Sequence, residues 1–232
     1  MGMGYGSECH LLRYLGRHRN ELDKRVLDVS GGDTVAWLDY KFDRSKTWLD
    51  GELTGLDFLE PEHPAREEWV NVWPRQGNPP NWDAIARVRR HGVTEWLLVE
   101  AKANLQELRS SCGAKEEGGR ALIVRTLATV KSTLGVADDR DWLNGYYQYS
   151  NRLAVLEFLN RHNAPARMLY IYFVGDKGSE TVGEKRFVRT CPADVAAWQP
   201  ALEARKAHLG LRKDHPLSDR VHELFLDVCP GK

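Results

Sequence analysis

The sequence predicts a mixed α/β fold, with a central mixed β-sheet flanked by helices. Three observations predict it. Two apolar-rich segments between Asn81 and Asn104 meet at His91-Gly92 in the manner of a β-hairpin. A helical stripe follows, clearest where Trp142, Tyr146, Tyr149, Leu153 and Leu156 recur at spacings of four and three. A continuous apolar run from Ala166 to Val174, bounded by Pro165 and Gly175, then reads as a buried strand. Consecutive strands, followed by helices interleaved with strands, imply this architecture.

In chain order, residues 7–27 predict a helix with Ser7 as its N-cap and Leu11, Leu12, Leu15, Leu22 and Val26 near one stripe. Ser30-Gly31-Gly32-Asp33 ends it. Thr34 to Phe42 alternates as a strand, carrying Val35, Trp37, Tyr40 and Phe42. Trp48, Leu49, Leu53, Leu56, Phe58 and Leu59 suit a short strand or a helical turn before Pro61 and Pro64. Glu68 to Trp73 is a candidate strand, and Pro74, Pro79 and Pro80 stiffen the connection after it. The hairpin strands are Trp82–Arg89 and Thr94–Ala103. Arg120 to Leu134 is a helix, and Asp138, Asp139 and Asp141 supply capping acids for the next, from about Asp141 to Arg161. After the buried strand, residues 175–185 form a charged loop and Phe187-Val188 a brief edge strand. Pro192 opens a helix to about His208, which Pro200 kinks or divides. Leu224 to Val228 is the last strand.

The 232 residues suit one domain, with its core over about residues 7–174 and a C-terminal helix and strand, 190–228, as an extension. Lys+Arg and Asp+Glu each number 33. That balance argues against a surface coated in basic charge and leaves a local basic groove open. Cys9, Cys112, Cys191 and Cys229 are far apart, so neither a zinc ribbon nor a disulfide framework is expected. Apolar runs fall short of the ~20 residues of a membrane span, and the N-terminus lacks a signal-peptide core. The expectation is a cytoplasmic protein without membrane contact.

The hairpin concentrates the chemistry. A two-residue loop at His91-Gly92 sets Arg90 opposite Val93 and, counting back, Asp83 opposite Glu100. Opposed residues point to one side of the sheet, and Lys102, two residues beyond Glu100, shares that side. Two carboxylates and an ammonium therefore converge at the open end of the hairpin. A three-residue loop would throw Asp83 to the other face. Acid–Lys pairs on strands are commonly surface salt bridges of little worth, so the register and the element order carry the functional reading.

A helix, then strands with Asp83 on one and Glu100-Ala101-Lys102 on the next, then a helix and another strand, resembles the PD-(D/E)XK nuclease superfamily. Trp82 stands where the family often has Pro. The resemblance covers about residues 7–174 and implies a restriction-endonuclease-like core. It implies a metal-dependent nuclease, endo- or exo-acting, that hydrolyses phosphodiester bonds, with DNA as the nucleic-acid partner. Asp83, Glu100 and the Ala101 carbonyl would bind Mg²⁺ or Mn²⁺, and Lys102 would orient the attacking water. It also implies an acid from the first helix, for which Glu8 and Glu21 are candidates. A Gln from the later helix is implied too, for which Gln148 stands with Arg152 four residues on. Each has an ordinary alternative. Glu8 complements a helix dipole, Glu21 sits on a solvated face, and the basic run Arg109, Lys115, Arg120, Arg125 and Lys131 is either a phosphate-contacting surface or a solvated helix face.

Two rival readings remain at this point. One is a catalytically inactive nuclease-fold module that binds a partner, favoured by the zero net charge. The other is a metal-independent hydrolase using Asp83 and Glu100 as general acid and base. A homodimer is left open. Trp48, Trp69, Trp73 and Trp82 suit base stacking less well than core or loop anchoring. Cys9-His10 and the series His208, His215, His222 lack metal-ligand spacing.

Overall fold

A computed structural model describes residues 6–38, 53–75, 77, 79–177, 179–182 and 185–229. The helices are α1 (Ser7–Gly16), α2 (Arg19–Ser30), α3 (Pro64–Trp69), α4 (Arg120–Thr133), α5 (Tyr147–Arg161) and α6 (Val195–Leu209). The strands are β1 (Thr34–Trp37), β2 (Leu53–Thr54), β3 (Asn81–Trp82), β4 (Ala84–Arg90), β5 (Val93–Lys102), β6 (Ala166–Val174), β7 (Ser179–Val182), β8 (Lys185–Val188) and β9 (Val221–Asp227). Five strands form one mixed sheet in the order β1-β4-β5-β6-β9. β1, β4 and β5 run antiparallel, and β6 and β9 continue parallel to β5. β2 pairs with β3, and β7 with β8, as two separate ribbons.

The period of two along β5 divides the core. Leu97, Val99 and Ala101 join Leu169, Ile171, Phe173, Leu224 and Leu226 beneath Leu11 and Tyr14 of α1 and Leu22 and Val26 of α2. Leu98, with Met168, Tyr170 and Tyr172, faces the opposite layer, built from α3, α4, α5 and α6. β5 and β6 are covered on both faces, so their interiors are continuously apolar. α1 has only 10 residues, too few to hold a helix in water alone. Burial of Leu11 and Tyr14, at about 1.5–3 kcal/mol for a large apolar side chain, is what fixes it.

Several expectations are corrected. The first helix is two helices: the backbone leaves the helical region at His18 (φ −115°, ψ 31°), and Arg19 Nε donates to the Leu15 carbonyl at 2.7 Å. Gly6, not Ser7, occupies the first N-cap. β1 ends at Trp37; Tyr40, Phe42, Trp48 and Leu49 lie outside the described residues. Glu68–Trp73 is not a strand. His63 Nδ1 caps a helix at Ala65 N–H (3.2 Å), Pro64 opens that helix, and Trp69 and Trp73, four apart, stack at 5.6 Å. Asp141 does not cap α5. Its Oδ1 accepts from the Leu143 and Asn144 N–H groups, forming an Asx turn, and Gly145 (φ 81°) turns the chain before the helix starts at Tyr147. The charged loop after β6 contains the β7–β8 ribbon. Asp194, rather than Pro192, sets the start of α6, and Pro200 lies inside that helix without dividing it. Residues 195–227 supply α6 and the edge strand β9 of the main sheet.

Candidate active site at the end of β5

The hairpin turn forms as its length predicts. His91 (φ 50°) and Gly92 (φ 82°) both take positive φ, as a two-residue loop of the twist-matching kind requires. Arg90 opposes Val93 and the ladder runs to Ala84 opposite Val99. Asp83 then departs from the expected pairing. Its N–H donates to the Val99 carbonyl at 3.1 Å, so Asp83 and Ala84 both oppose Val99. This is a bulge, and a bulge re-aims a side chain. The cause lies upstream: Asn81 and Trp82 belong to the ribbon with Leu53 and Thr54, and the chain leaves the main sheet to reach it.

That departure uncovers the edge of β5. Trp96 donates its N–H toward the β6 side, so the odd-numbered N–H groups of β5 face the side of β4. Beyond Val99 those groups have lost their strand partner. Carboxylates replace it: Asp83 Oδ2 accepts from Ala101 N–H at 2.6 Å, and Glu107 Oε2 from Ala103 N–H at 2.8 Å. The Asp83 carboxylate therefore lies at the strand edge beside Ala101, not squarely opposite Glu100 on the sheet face. A buried N–H left unpaired would cost about 1–3 kcal/mol, which explains the capture.

On the face of β5 toward α5, Glu100, Lys102, Gln148 and Arg152 come together as the spacing along both elements predicts. Lys102 Nζ donates to Glu100 Oε1 at 2.5 Å and to Gln148 Oε1 at 2.9 Å. Arg152 donates to Glu100 Oε2 through Nε at 3.0 Å and lies 2.8 Å away through Nη2. Arg152 Nη1 donates to Asn151 Oδ1 at 2.8 Å, and its guanidinium sits 4.8 Å above the Trp82 ring. Trp82 Nε1 in turn donates to the Gly55 carbonyl at 2.9 Å. Glu100 is 2 % exposed and Lys102 9 %, while Asp83 and Gln148 are half-buried and form the open side of the group.

The electrostatics of Glu100 follow from this cage. Burial by itself would raise its pKa. The Arg152 charge, and after it Lys102 with their hydrogen bonds, outweigh burial and hold the carboxyl below its usual range. Glu100 is accordingly a fixed anion. Its carboxylate has about four lone-pair sites; Arg152 takes two on Oε2 and Lys102 one on Oε1.

The other sequence candidates divide. Glu8 and Glu21 are exposed on α1 and α2, the helices over the opposite face of the sheet. Among the described residues, no three His, Cys, Asp or Glu side chains are placed to share an ion. An acid from the first helix is therefore not part of the cluster. Of the basic run after Glu100-Ala101-Lys102 only Lys131 is buried, and Arg109, Lys115 and Arg125 are exposed. Lys131 is buried and donates to the Asp138 and Arg140 carbonyls, Arg120 pairs with Glu116, and Arg125 reaches the Asn71 carbonyl. Arg109 stacks on Tyr146 at 4.4 Å. Trp69, Trp73 and Trp82 are core residues. Sequence reasoning missed Asn151, Glu107 and Ser110, whose hydroxyl accepts from Gln148 N–H at 2.7 Å. Only Asn151, beside Arg152 on α5, had a local signal.

The donor set can be weighed against a divalent ion. Mg²⁺ prefers oxygen ligands, keeps several waters and needs only one or two carboxylates besides substrate phosphate. Asp83, the Ala101 carbonyl and the remaining site on Glu100 Oε1 are oxygen donors of that kind, and Glu100 would have to be shared between an ion and its two cationic neighbours. No protein-family model, curated protein or solved structure matches the chain.

Proposed function

We propose that the chain is a metal-dependent nuclease of restriction-endonuclease-like type that hydrolyses phosphodiester bonds, with DNA as the substrate and Mg²⁺ or Mn²⁺ as the ion. The observation that carries the reading is the pair of hydrogen bonds that Lys102 Nζ donates to Glu100 and Gln148, beside the bulge that turns Asp83 onto Ala101. The order helix, antiparallel strands, helix, parallel strand around that point supports it.

The chemistry assigned to each residue follows from its surroundings. Asp83, Glu100 and the Ala101 carbonyl would hold the ion, which when bound neutralises phosphate charge and makes a bound water more acidic. Lys102 has three N–H donors. Glu100 and Gln148 take two, which fixes Nζ in place. The third orients the attacking water and stabilises negative charge on a phosphate oxygen. Gln148 acts as the second anchor of Lys102. Arg152, with the Trp82 ring beneath it, keeps Glu100 ionised and in its rotamer.

The depressed pKa of Glu100 weighs against Glu100 as the general acid of a metal-independent hydrolase, since a general acid at neutral pH needs a raised one. The inactive-module reading has one observation in its favour: both Glu100 oxygens already receive cationic donors. Incubation of supercoiled plasmid with the protein and Mg²⁺ or Mn²⁺ tests the proposal. Metal-dependent nicking is expected. Intact plasmid with either ion, together with a nucleic acid or protein retained by the same residues, would leave the binding module in its place.

A further inference from the structure

Helix α5 begins without a cap of its own. Tyr146 holds the N-cap position with φ −139° and ψ 36°, and no side chain of the turn closes on the first N–H groups. Those groups have no acceptor inside a helix. Here the acceptors arrive from far back in the chain. The Ser110 carbonyl accepts from Tyr147 N–H at 3.2 Å, and Ser110 Oγ accepts from Gln148 N–H at 2.7 Å. Ser110 N–H donates to the Gly145 carbonyl at 3.0 Å, and Cys112 N–H to the Leu143 carbonyl at 2.7 Å. Residues 110–112 therefore run beside residues 143–147, joined through a parallel bridge between Ser110 and Tyr146.

The capped N–H belongs to the residue whose side chain holds Lys102. Gln148 Oε1 accepts from Lys102 Nζ, and Ser110 lies on the segment by which the chain leaves β5 after Lys102. The links close a circuit: β5, the turn after it, Ser110, Gln148 and back to Lys102. A cap supplied by a neighbouring residue would only stop the helix end from fraying. A cap supplied from this segment ties the placement of Gln148 to the end of the strand that carries Lys102.

We propose that Ser110 is a positioning residue for the Lys102 ammonium, acting through the first turn of α5 and Gln148. Its consequence for rate rests on the nuclease reading; its consequence for the Lys102 environment does not. Small displacements of a positioned group cost rate steeply, so Ser110→Ala should lower kcat about tenfold with KM unchanged. Ser110→Thr, which keeps the hydroxyl, should restore it. In a Gln148→Ala background, Ser110→Ala should have no further effect. Asp194→Ala removes the local cap of α6, where Asp194 Oδ1 accepts from Ala197 N–H at 2.8 Å, and controls for the stability lost with a helix cap.

Acylation of Lys102 by an N-hydroxysuccinimide ester, followed by mass spectrometry, gives a readout without catalysis. It should be faster in Ser110→Ala than in wild type or Asp194→Ala. Independent, multiplying losses from Ser110→Ala and Gln148→Ala would overturn the proposal, as would a Ser110→Ala protein indistinguishable from Asp194→Ala. If the wild-type protein cleaves nothing with either ion, the nuclease reading fails by itself. Lys102 acylation then decides the positioning claim: faster in Ser110→Ala upholds it, and an unchanged rate overturns it.

Discussion

Removing Arg152 should expose what holds Glu100 in the core. In the native protein the Glu100 carboxylate, 2 % exposed, receives Arg152 on one oxygen and Lys102 on the other. Arg152→Ala leaves that buried anion with Lys102 alone, empties the space the guanidinium fills and uncovers the Trp82 ring. Breaking a buried pair by deleting one partner costs about 3–5 kcal/mol. Lys102 stays in place, so the lower end, about 3 kcal/mol, is expected. For a chain of this size that is a fall in Tm of roughly 6–12 °C. The pH dependence has a definite sign. A carboxyl held below its usual range contributes stability that is present above about 4.3 and is lost as pH falls through its folded value. Without Arg152, burial pushes Glu100 upward and that contribution goes. The deficit of the variant should therefore be largest at neutral pH and shrink in acid, where Glu100 is protonated in both proteins. Urea unfolding of both proteins across the acid range measures it. Arg152→Ala combined with Glu100→Gln should recover part of the neutral-pH loss. A deficit under about 1 kcal/mol, or one constant from neutral pH into acid, would refute this account of the cage.

Two further outcomes follow from other parts of the molecule. Burial, and then the Arg167 charge, push His222 down from 6.5 to about 4, and its Nε2 lies 3.2 Å from Arg167 Nη1. Its neutral form therefore belongs to the fold, and native stability should fall as pH drops from about 6.5 toward 4, by at most about 1.4 kcal/mol per pH unit. His222→Phe should flatten that slope in Tm, and an unaltered slope would remove His222 as its source. Gly145 sits at φ 81° with the His208 ring 3.3 Å from where a Cβ would stand. Gly145→Ala should cost about 1–2 kcal/mol from the left-handed backbone alone, measured by denaturant unfolding, and a neutral effect would show that the turn before α5 adapts freely.

The register of the hairpin was legible in the sequence because a single turn length sets it. Counting from His91 and Gly92 places Ala84 opposite Val99 without any tertiary knowledge. The bulge at Asp83 was not legible, since it depends on β3 pairing with β2 nearly thirty residues earlier. Helix α3 was hidden by its composition. Trp69, Val70, Val72 and Trp73 favour a strand, while the His63-Pro64 start makes a helix that ends at Trp69, and the turns after it bring Trp73 onto Trp69. Gln148 and Arg152 could be placed together from helical spacing, and the structure brings both to the Glu100–Lys102 pair. Glu8 and Glu21 could not be oriented that way, because the break at His18 and the packing of both helices over the other face are tertiary choices. Ser110 had no local signal, since its partners lie across the loop that leads into α5.

The rate of plasmid nicking by Lys102→Ala relative to wild type, in Mg²⁺ or Mn²⁺, tests whether Lys102 and Asp83 form a catalytic site, with Asp83→Asn in parallel. Loss of a group that stabilises developing charge lowers kcat by about 10²–10³. Lys102→Ala should show a fall of that order, and Asp83→Asn a loss of metal-dependent rate. Equal nicking by all three proteins would contradict the assignment of the site.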